Sequence, residues 1–312
     1  MKGNLVSKTS LDDDLIDIKN IILILWKEKL TVIVLTFLFS VLVVIYSLLL
    51  PNIYTSKALV LPSSNQSEVG SAFGRYSALA SLSGVSLPSL SVSSTDEALV
   101  MLSSYKFFSE SFFETINLPD LMAGGYWDSS SNKMIYDPSI YNEKENTWVR
   151  EVSLPRNTIP SKQESYRAFI KDFLNISQDM KTSVISISID HQSPVIAMEW
   201  VSKLVNLINK ELRDDQTKRS LVSIEYLNQQ MALTTYNETR LSLSRLIEQE
   251  VEKLMLVEAN EEYIFKIIEP PIIPELKSSP SRALICIVGA ILGFLISLLI
   301  GLVKHSYFNK KV

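Results

Sequence analysis

The sequence predicts an α+β domain with a long projecting helix, flanked by two transmembrane helices. Two apolar stretches, residues 30–50 and 283–303, each have about the ~20 residues needed to cross a bilayer. Between them lie segments with the alternating pattern of β-strands. The stretch from Val195 to Glu269 contains no glycine or proline, which favours a long helix.

The first apolar stretch is longer than the core of a signal peptide and lacks a small-residue cleavage site after it, so we interpret it as a span. Lysines adjoin the outer ends of both spans, and the positive-inside rule therefore predicts that both termini are cytoplasmic. The predicted organisation is a cytoplasmic segment 1–29, transmembrane helix 30–50, an outer domain 51–282, transmembrane helix 283–303 and a cytoplasmic tail 304–312.

The outer domain has somewhat more acidic than basic residues, which makes nucleic acid an unsuitable partner. The sole cysteine, Cys286, lies in the second span, so the outer domain has no disulfide framework. The absence of a disulfide framework favours a periplasmic rather than an animal-secreted setting.

Strands are predicted near Tyr54, at 182–190 and at 263–268, and we expect them to meet in one sheet. Helices are predicted at about 96–114, 163–174 and 194–259, a possible strand at 147–152, and a serine- and glycine-rich loop at 63–94. A helix of about 60 residues would reach about 90 Å and must project. Either it packs within its own chain, for example as a coiled-coil hairpin, or subunits pack these helices side by side in a ring.

The connector at residues 270–280 contains four prolines, which forbid a continuous helix and favour an extended entry into the bilayer. The helix that follows carries Gly289 and Gly293, a Gly-x-x-x-Gly pair that permits close approach of another membrane helix.

Both ends of the chain resemble the Wzz family of polysaccharide co-polymerases, the chain-length determinants of bacterial surface polysaccharide. Near the second span, the residues at family positions are Pro271, Pro274, Ser279, Pro280 and Gly293; Ser281 replaces a usual lysine, with Arg282 next to it. Near the first span, the matching residues are Leu25, Trp26, Lys27, Pro51 and Tyr54. One branch of the broader family carries a cytoplasmic kinase domain, for which the short tail here leaves no room.

The resemblance implies a ring-shaped homo-oligomer in the bacterial inner membrane that sets the length of the O-antigen of lipopolysaccharide. It implies a Wzy-type polymerase and lipid-linked polysaccharide as partners, and no catalytic residue. The connector and the Gly289/Gly293 face would couple the outer ring to membrane partners. Two alternatives stay open: a capsule or exopolysaccharide export co-polymerase, and a two-span periplasmic sensor subunit.

The sequence offers little for catalysis, cofactors or metals. It lacks a phosphate-binding Gly-x-x-x-x-Gly-Lys-Ser/Thr loop, and its two histidines, His191 and His305, stand apart from any cysteine or histidine at ligand spacing. We expect His191 in a turn. The aromatic pair Tyr126 and Trp127 is a candidate for contact with sugar.

Overall fold

The computed structural model describes residues 29–63 and 94–309. Leu25, Trp26 and Lys27, and residues 64–93 of the expected loop, therefore lie outside the described chain. The described residues form two compact units: residues 29–51 with 279–309, and residues 52–63 with 94–278.

The first unit is a pair of helices, α1 (Lys29–Leu49) and α8 (Arg282–Asn309). Both are long and apolar enough to cross a membrane, α8 over Arg282–Lys304. Their positions agree with the two apolar stretches in the sequence.

The second unit is built on a four-stranded antiparallel sheet of order β6-β7-β1-β8. Its strands are β1 (Tyr54–Pro62), β6 (Leu174–Gln178), β7 (Ile185–His191) and β8 (Phe265–Glu269). The prediction that strands near Tyr54, Ile187 and Phe265 meet in one sheet is confirmed.

The second unit also contains four short helices: α2 (Ser94–Leu102), α3 (Tyr105–Phe107), α4 (Leu118–Met122) and α5 (Lys162–Ala168). A π-helical turn, Phe108–Phe112, and a 3-10 turn, Phe113–Thr115, continue α3, and another π-helical turn, Phe169–Phe173, continues α5. The helix expected at 96–114 is thus interrupted. Its second part begins at Ser104, whose hydroxyl accepts the N–H of Phe107 at 3.2 Å as an N-cap.

Two small hairpins occupy the region between α4 and α5. They are formed by β2 (Gly124–Asp128) with β3 (Lys133–Tyr136) and by β4 (Tyr141–Asn142) with β5 (Thr147–Trp148). The strand expected at 147–152 is therefore shorter than predicted, and the first hairpin was not predicted.

The expected helix at 194–259 is two helices, α6 (Pro194–Leu233) and α7 (Asn237–Ala259). Thr234 has extended backbone angles and its hydroxyl donates back to the carbonyl of Gln230, so the helix ends there. α7 then returns antiparallel to α6, with Thr217 bonded to Glu258 at 3.0 Å and Ser220 to Glu250 at 3.0 Å. Of the expected arrangements, the structure contains the hairpin within one chain.

The core lies between the sheet and the first half of α6. Three alternate residues of β7, Ile185, Ile187 and Ile189, are fully buried, as their sequence pattern predicts. They pack with the apolar stripe of α6 and a cluster of aromatic rings, whose buried members are Phe107, Phe108, Phe112, Phe169, Phe173 and Trp200. This core fixes β1 and β8, and β8 leads to the proline-rich connector.

Candidate functional site

After β8 ends, the connector runs alongside the central strand β1. β8 pairs with β1 over Leu59–Pro62. Beyond Glu269 the chain continues beside the first half of β1, where Ser56 Oγ donates to the carbonyl of Ile272 at 2.8 Å. The N–H of Ser278 then donates to the carbonyl of Ile53 at 2.9 Å. The connector is therefore held to β1 at both its middle and its end.

The prolines explain why the connector leaves the β-ladder. Pro270, Pro271 and Pro274 have no N–H to donate, so they interrupt a regular ladder with β1. A side-chain hydroxyl, that of Ser56, supplies one of the bonds in its place. Pro271 and Pro274 thus lie beside β1 in a segment that is neither helix nor strand.

Ser278 is the residue that closes this contact. Besides its N–H bond, its hydroxyl donates to the Ile53 carbonyl at 3.0 Å and accepts from Thr55 Oγ1 at 2.7 Å. Lys277 adds a bond to Asn52 Oδ1 at 3.3 Å. Sequence reasoning singled out Ser279 and missed Ser278 and Ser56. A signal for Ser56 was present, since a serine occupies an inward position of a strand whose other inward residues, Ala58 and Val60, are apolar.

Tyr54 opens β1 and packs the first hairpin against the sheet. Its ring meets the ring of Trp127 edge-on, with centroids 5.6 Å apart. The indole N–H of Trp127 donates to Asn132 Oδ1 at 3.1 Å. Of the two aromatics considered for sugar contact, Trp127 is used in packing, whereas the side chain of Tyr126 is 59% exposed.

His191 is the last residue of β7 rather than part of a turn, so that expectation is wrong. Its side chain is buried beside the rings of Phe173 and Trp200. Nδ1 accepts the N–H of Ser193 at 2.9 Å, which leaves Nε2 to donate to the carbonyl of Asp120 at 3.1 Å. Burial lowers the pKa of His191, so the ring is neutral and structural. Among the described residues, no cluster of His, Cys, Asp and Glu could hold a metal ion.

In the helix pair, the Gly289/Gly293 face of α8 contacts α1 of the same chain. A Cβ at Gly289 would overlap Val43, and one at Gly293 would lie 2.9 Å from Phe39 Cδ1. One turn further along, Thr36 and Ser297 share a hydrogen bond of 2.8 Å between their hydroxyls. The small residues therefore permit close packing of the two helices within one chain.

The remaining predicted residues flank these helices. Pro51 follows α1, while Ser279 and Pro280 precede α8. Arg282 is the first residue of α8, and its Nη2 donates to the carbonyl of Leu50 at 3.5 Å, next to Pro51. The predicted motif is thus divided: Pro271 and Pro274 lie beside β1, and the later members belong to the helix pair.

One protein-family model matches part of the chain. Residues 14–106 match the family model described as Wzz, chain length determinant protein. The match confirms the resemblance to that family over these residues. No curated protein matches the chain significantly.

Two of the solved structures that match the chain are polysaccharide co-polymerases. A full-length bacterial polysaccharide co-polymerase is 16% identical, with 94% of this chain and 99% of that chain covered and a TM-score of 0.40. A fragment of WzzB, a polysaccharide co-polymerase from Salmonella Typhimurium, is 14% identical, with 73% and 100% covered and a TM-score of 0.28.

Proposed function

We propose that this protein regulates the chain length of the O-antigen of lipopolysaccharide. It would act as an oligomeric co-polymerase on a Wzy-type polymerase and its lipid-linked polysaccharide. The observation that carries the proposal is the match of residues 14–106, a stretch that includes α1 and β1, to the chain length determinant family. The two apolar helices that bracket the α+β unit in sequence agree with a membrane co-polymerase.

In the proposed placement, α1 and α8 cross the bacterial inner membrane, both termini are cytoplasmic and residues 51–282 are periplasmic. The lysines beside the spans support this orientation. Reporter fusions after residue 312 and within the exposed turn at Ser130 would test it. Alkaline phosphatase should be active only in the Ser130 fusion, and activity at the C-terminal fusion would contradict the orientation.

The proposed mechanism involves no bond-making residue. The oligomer limits how long the growing chain stays with the polymerase, and the connector couples the α+β unit to the membrane helices. The contacts of Ser56 and Ser278 with the connector support this role, because they tie it to the central strand of the sheet.

The test is the banding pattern of lipopolysaccharide on a gel. Deletion of the gene should broaden the distribution of O-antigen lengths, and the wild-type gene should restore it. The double variant Pro274→Ala/Pro280→Ala should shift the modal length at normal protein level, whereas Pro138→Ala, an exposed proline in a hairpin region, should not. Unchanged banding in both the deletion and the double variant would contradict the proposal, as would loss of capsule with a normal ladder.

A further inference from the structure

We propose that Ile272, Ile273 and Leu276 of the connector insert into the headgroup region of a lipid bilayer. This inference rests on the proposed function, in particular on α1 and α8 crossing a membrane. The three side chains are 65%, 48% and 84% exposed, although the segment that carries them is bonded to the sheet. The three residues lie within five positions of one another, and exposed apolar side chains grouped at a surface mark interaction sites.

The backbone of the connector suits a poorly hydrated environment. Pro271 and Pro274 have no N–H that would need a partner, and the carbonyl of Ile272 already accepts the hydroxyl of Ser56. Unsatisfied backbone groups are costly near lipid, so a segment with fewer of them enters the bilayer surface more readily.

The connector also holds its apolar side chains outward. The bonds of Ser56 with Ile272 and of Ser278 with Ile53 fix its backbone against β1 on both sides of Leu276. These bonds restrict movement of the segment away from β1, while its three apolar side chains stay exposed. A fixed apolar patch loses less conformational entropy on binding than a flexible one would.

Lipid is the favoured partner of these three side chains because short chain segments link the connector to α1 and α8. Ser278 is four residues before Arg282, and Ile53 is four residues after Leu49, so each link can extend at most about 14 Å. Glu275 and Lys277 flank Leu276 with opposite charges. Insertion should therefore not require anionic lipid, and phosphatidylcholine is a sufficient probe.

The experiment places a fluorescent label at single cysteines of the full-length protein in phosphatidylcholine nanodiscs. The native Cys286 is replaced by serine, and Leu276→Cys is compared with Leu154→Cys, a leucine that is 90% exposed and distant in sequence from both spans. Acyl chains brominated near the headgroup should quench the label at position 276 several-fold more strongly than the label at 154.

Equal quenching at positions 276 and 154 would overturn the inference. So would a label at 276 that brominated lipid does not quench but that is shielded from aqueous iodide, since a protein would then cover the patch. The wild-type protein labelled at Cys286 is the reference for α8. If Cys286 is quenched and position 276 is not, the insertion fails while the proposed membrane placement stands; if neither is quenched, both fail.

Discussion

The side chain of Asn209 on α6 bonds to the backbone of Phe265 in the way that a neighbouring strand would. Asn209 Oδ1 accepts the N–H of Phe265 at 2.9 Å, and Nδ2 donates to the carbonyl of Phe265 at 3.0 Å. Oδ1 also accepts the N–H of Ile264 at 3.0 Å, and the bonded groups are buried. A single amide therefore fixes the start of β8, the strand that leads to the connector.

Asn209→Ala should lower the free energy of unfolding by about 3 kcal/mol, because it leaves buried N–H groups without partners. For a unit of this size that corresponds to a melting temperature lower by about 6–12 °C. The melting temperature is measured by thermal unfolding of the full-length protein in detergent, monitored by circular dichroism. Lys210→Ala, at the exposed neighbouring position, is the control and should change little. Equal melting temperatures for the two variants would refute the role of Asn209.

Ser56→Ala should loosen the connector, since the bond to the Ile272 carbonyl is lost at a cost of about 1 kcal/mol. Trypsin should then cleave after Lys277 faster than in the wild type, as measured by mass spectrometry of the fragments. Ser188→Ala removes an exposed hydroxyl from the same sheet and should leave the cleavage rate unchanged. If both variants are cleaved at the wild-type rate, Ser56 does not hold the connector.

Gly289→Leu should separate α8 from α1, because even a Cβ at this position overlaps Val43. In a Cys286→Ser background, oxidation should crosslink cysteines placed at Thr36 and Ser297 efficiently, and Gly289→Leu should reduce the yield several-fold. Val43→Ala should partly restore it by making room. Ile291→Leu, on the exposed side of α8, is the control. A crosslinking yield that Gly289→Leu does not change would contradict close packing at this point.

Stability should fall as the pH drops below about 6.5, where the unfolded chain binds a proton at His191 that the folded chain excludes. The folded pKa lies below the unfolded value, so the loss continues until the pH reaches the folded pKa. Uptake of one proton changes the free energy of unfolding by at most about 1.4 kcal/mol per pH unit. Protonation would also turn Nδ1 into a donor facing the N–H of Ser193.

The measurement is thermal unfolding of the full-length protein between pH 7 and pH 5. The difference in stability between wild type and His191→Gln should change across this range, because the variant lacks the titrating ring. The charged group acting on His191 is Asp120, whose carboxylate accepts the hydroxyl of Tyr136 at 2.7 Å. Burial and, after it, this hydrogen bond raise the pKa of that tyrosine. Parallel pH profiles for the two proteins would show that His191 does not control the slope.

Glu164→Gln should destabilise the loop at residues 150–160. Arg150 makes two bonds to the Glu164 carboxylate, of 2.6 and 2.8 Å, and also bonds to the carbonyls of Asn157 and Thr158. The loss of the charged acceptor should cost about 2 kcal/mol and speed tryptic cleavage after Arg156. Arg150 lowers the pKa of Glu164, so in the wild type this stabilisation is lost only as the pH falls below about 4.5. Glu151→Gln, at an exposed position nearby, should leave cleavage unchanged.

The sheet could be predicted from the sequence because its signals are local. Alternation at Ile185, Ile187 and Ile189 identifies β7 and the face it buries. The hairpin of β2 and β3 was missed because its strands are short and Trp127 is placed by its contact with Tyr54, which is distant in sequence. Asn209 was missed for a similar reason, since its partners Ile264 and Phe265 are more than fifty residues away.

The end of α6 shows a second limit of prediction. Residues 234–236 contain neither glycine nor proline, so helix-breaking residues alone do not reveal the break. The break is favoured by tertiary packing, since α7 can then cover the second half of α6. In the connector, by contrast, helix-breaking residues are present. Its prolines predicted an extended segment, but they did not indicate that this segment lies beside β1.

The bond between Ser278 and Ile53 has a mechanical consequence. Because these residues lie at the two ends of the α+β unit, a pulling force on its ends would act first on this contact. The connector would then peel from β1 one bond at a time, with Ser56 and Ile272 parting next, instead of the whole strand resisting in shear. The unit would thus yield at low force along the connector while its core stayed folded.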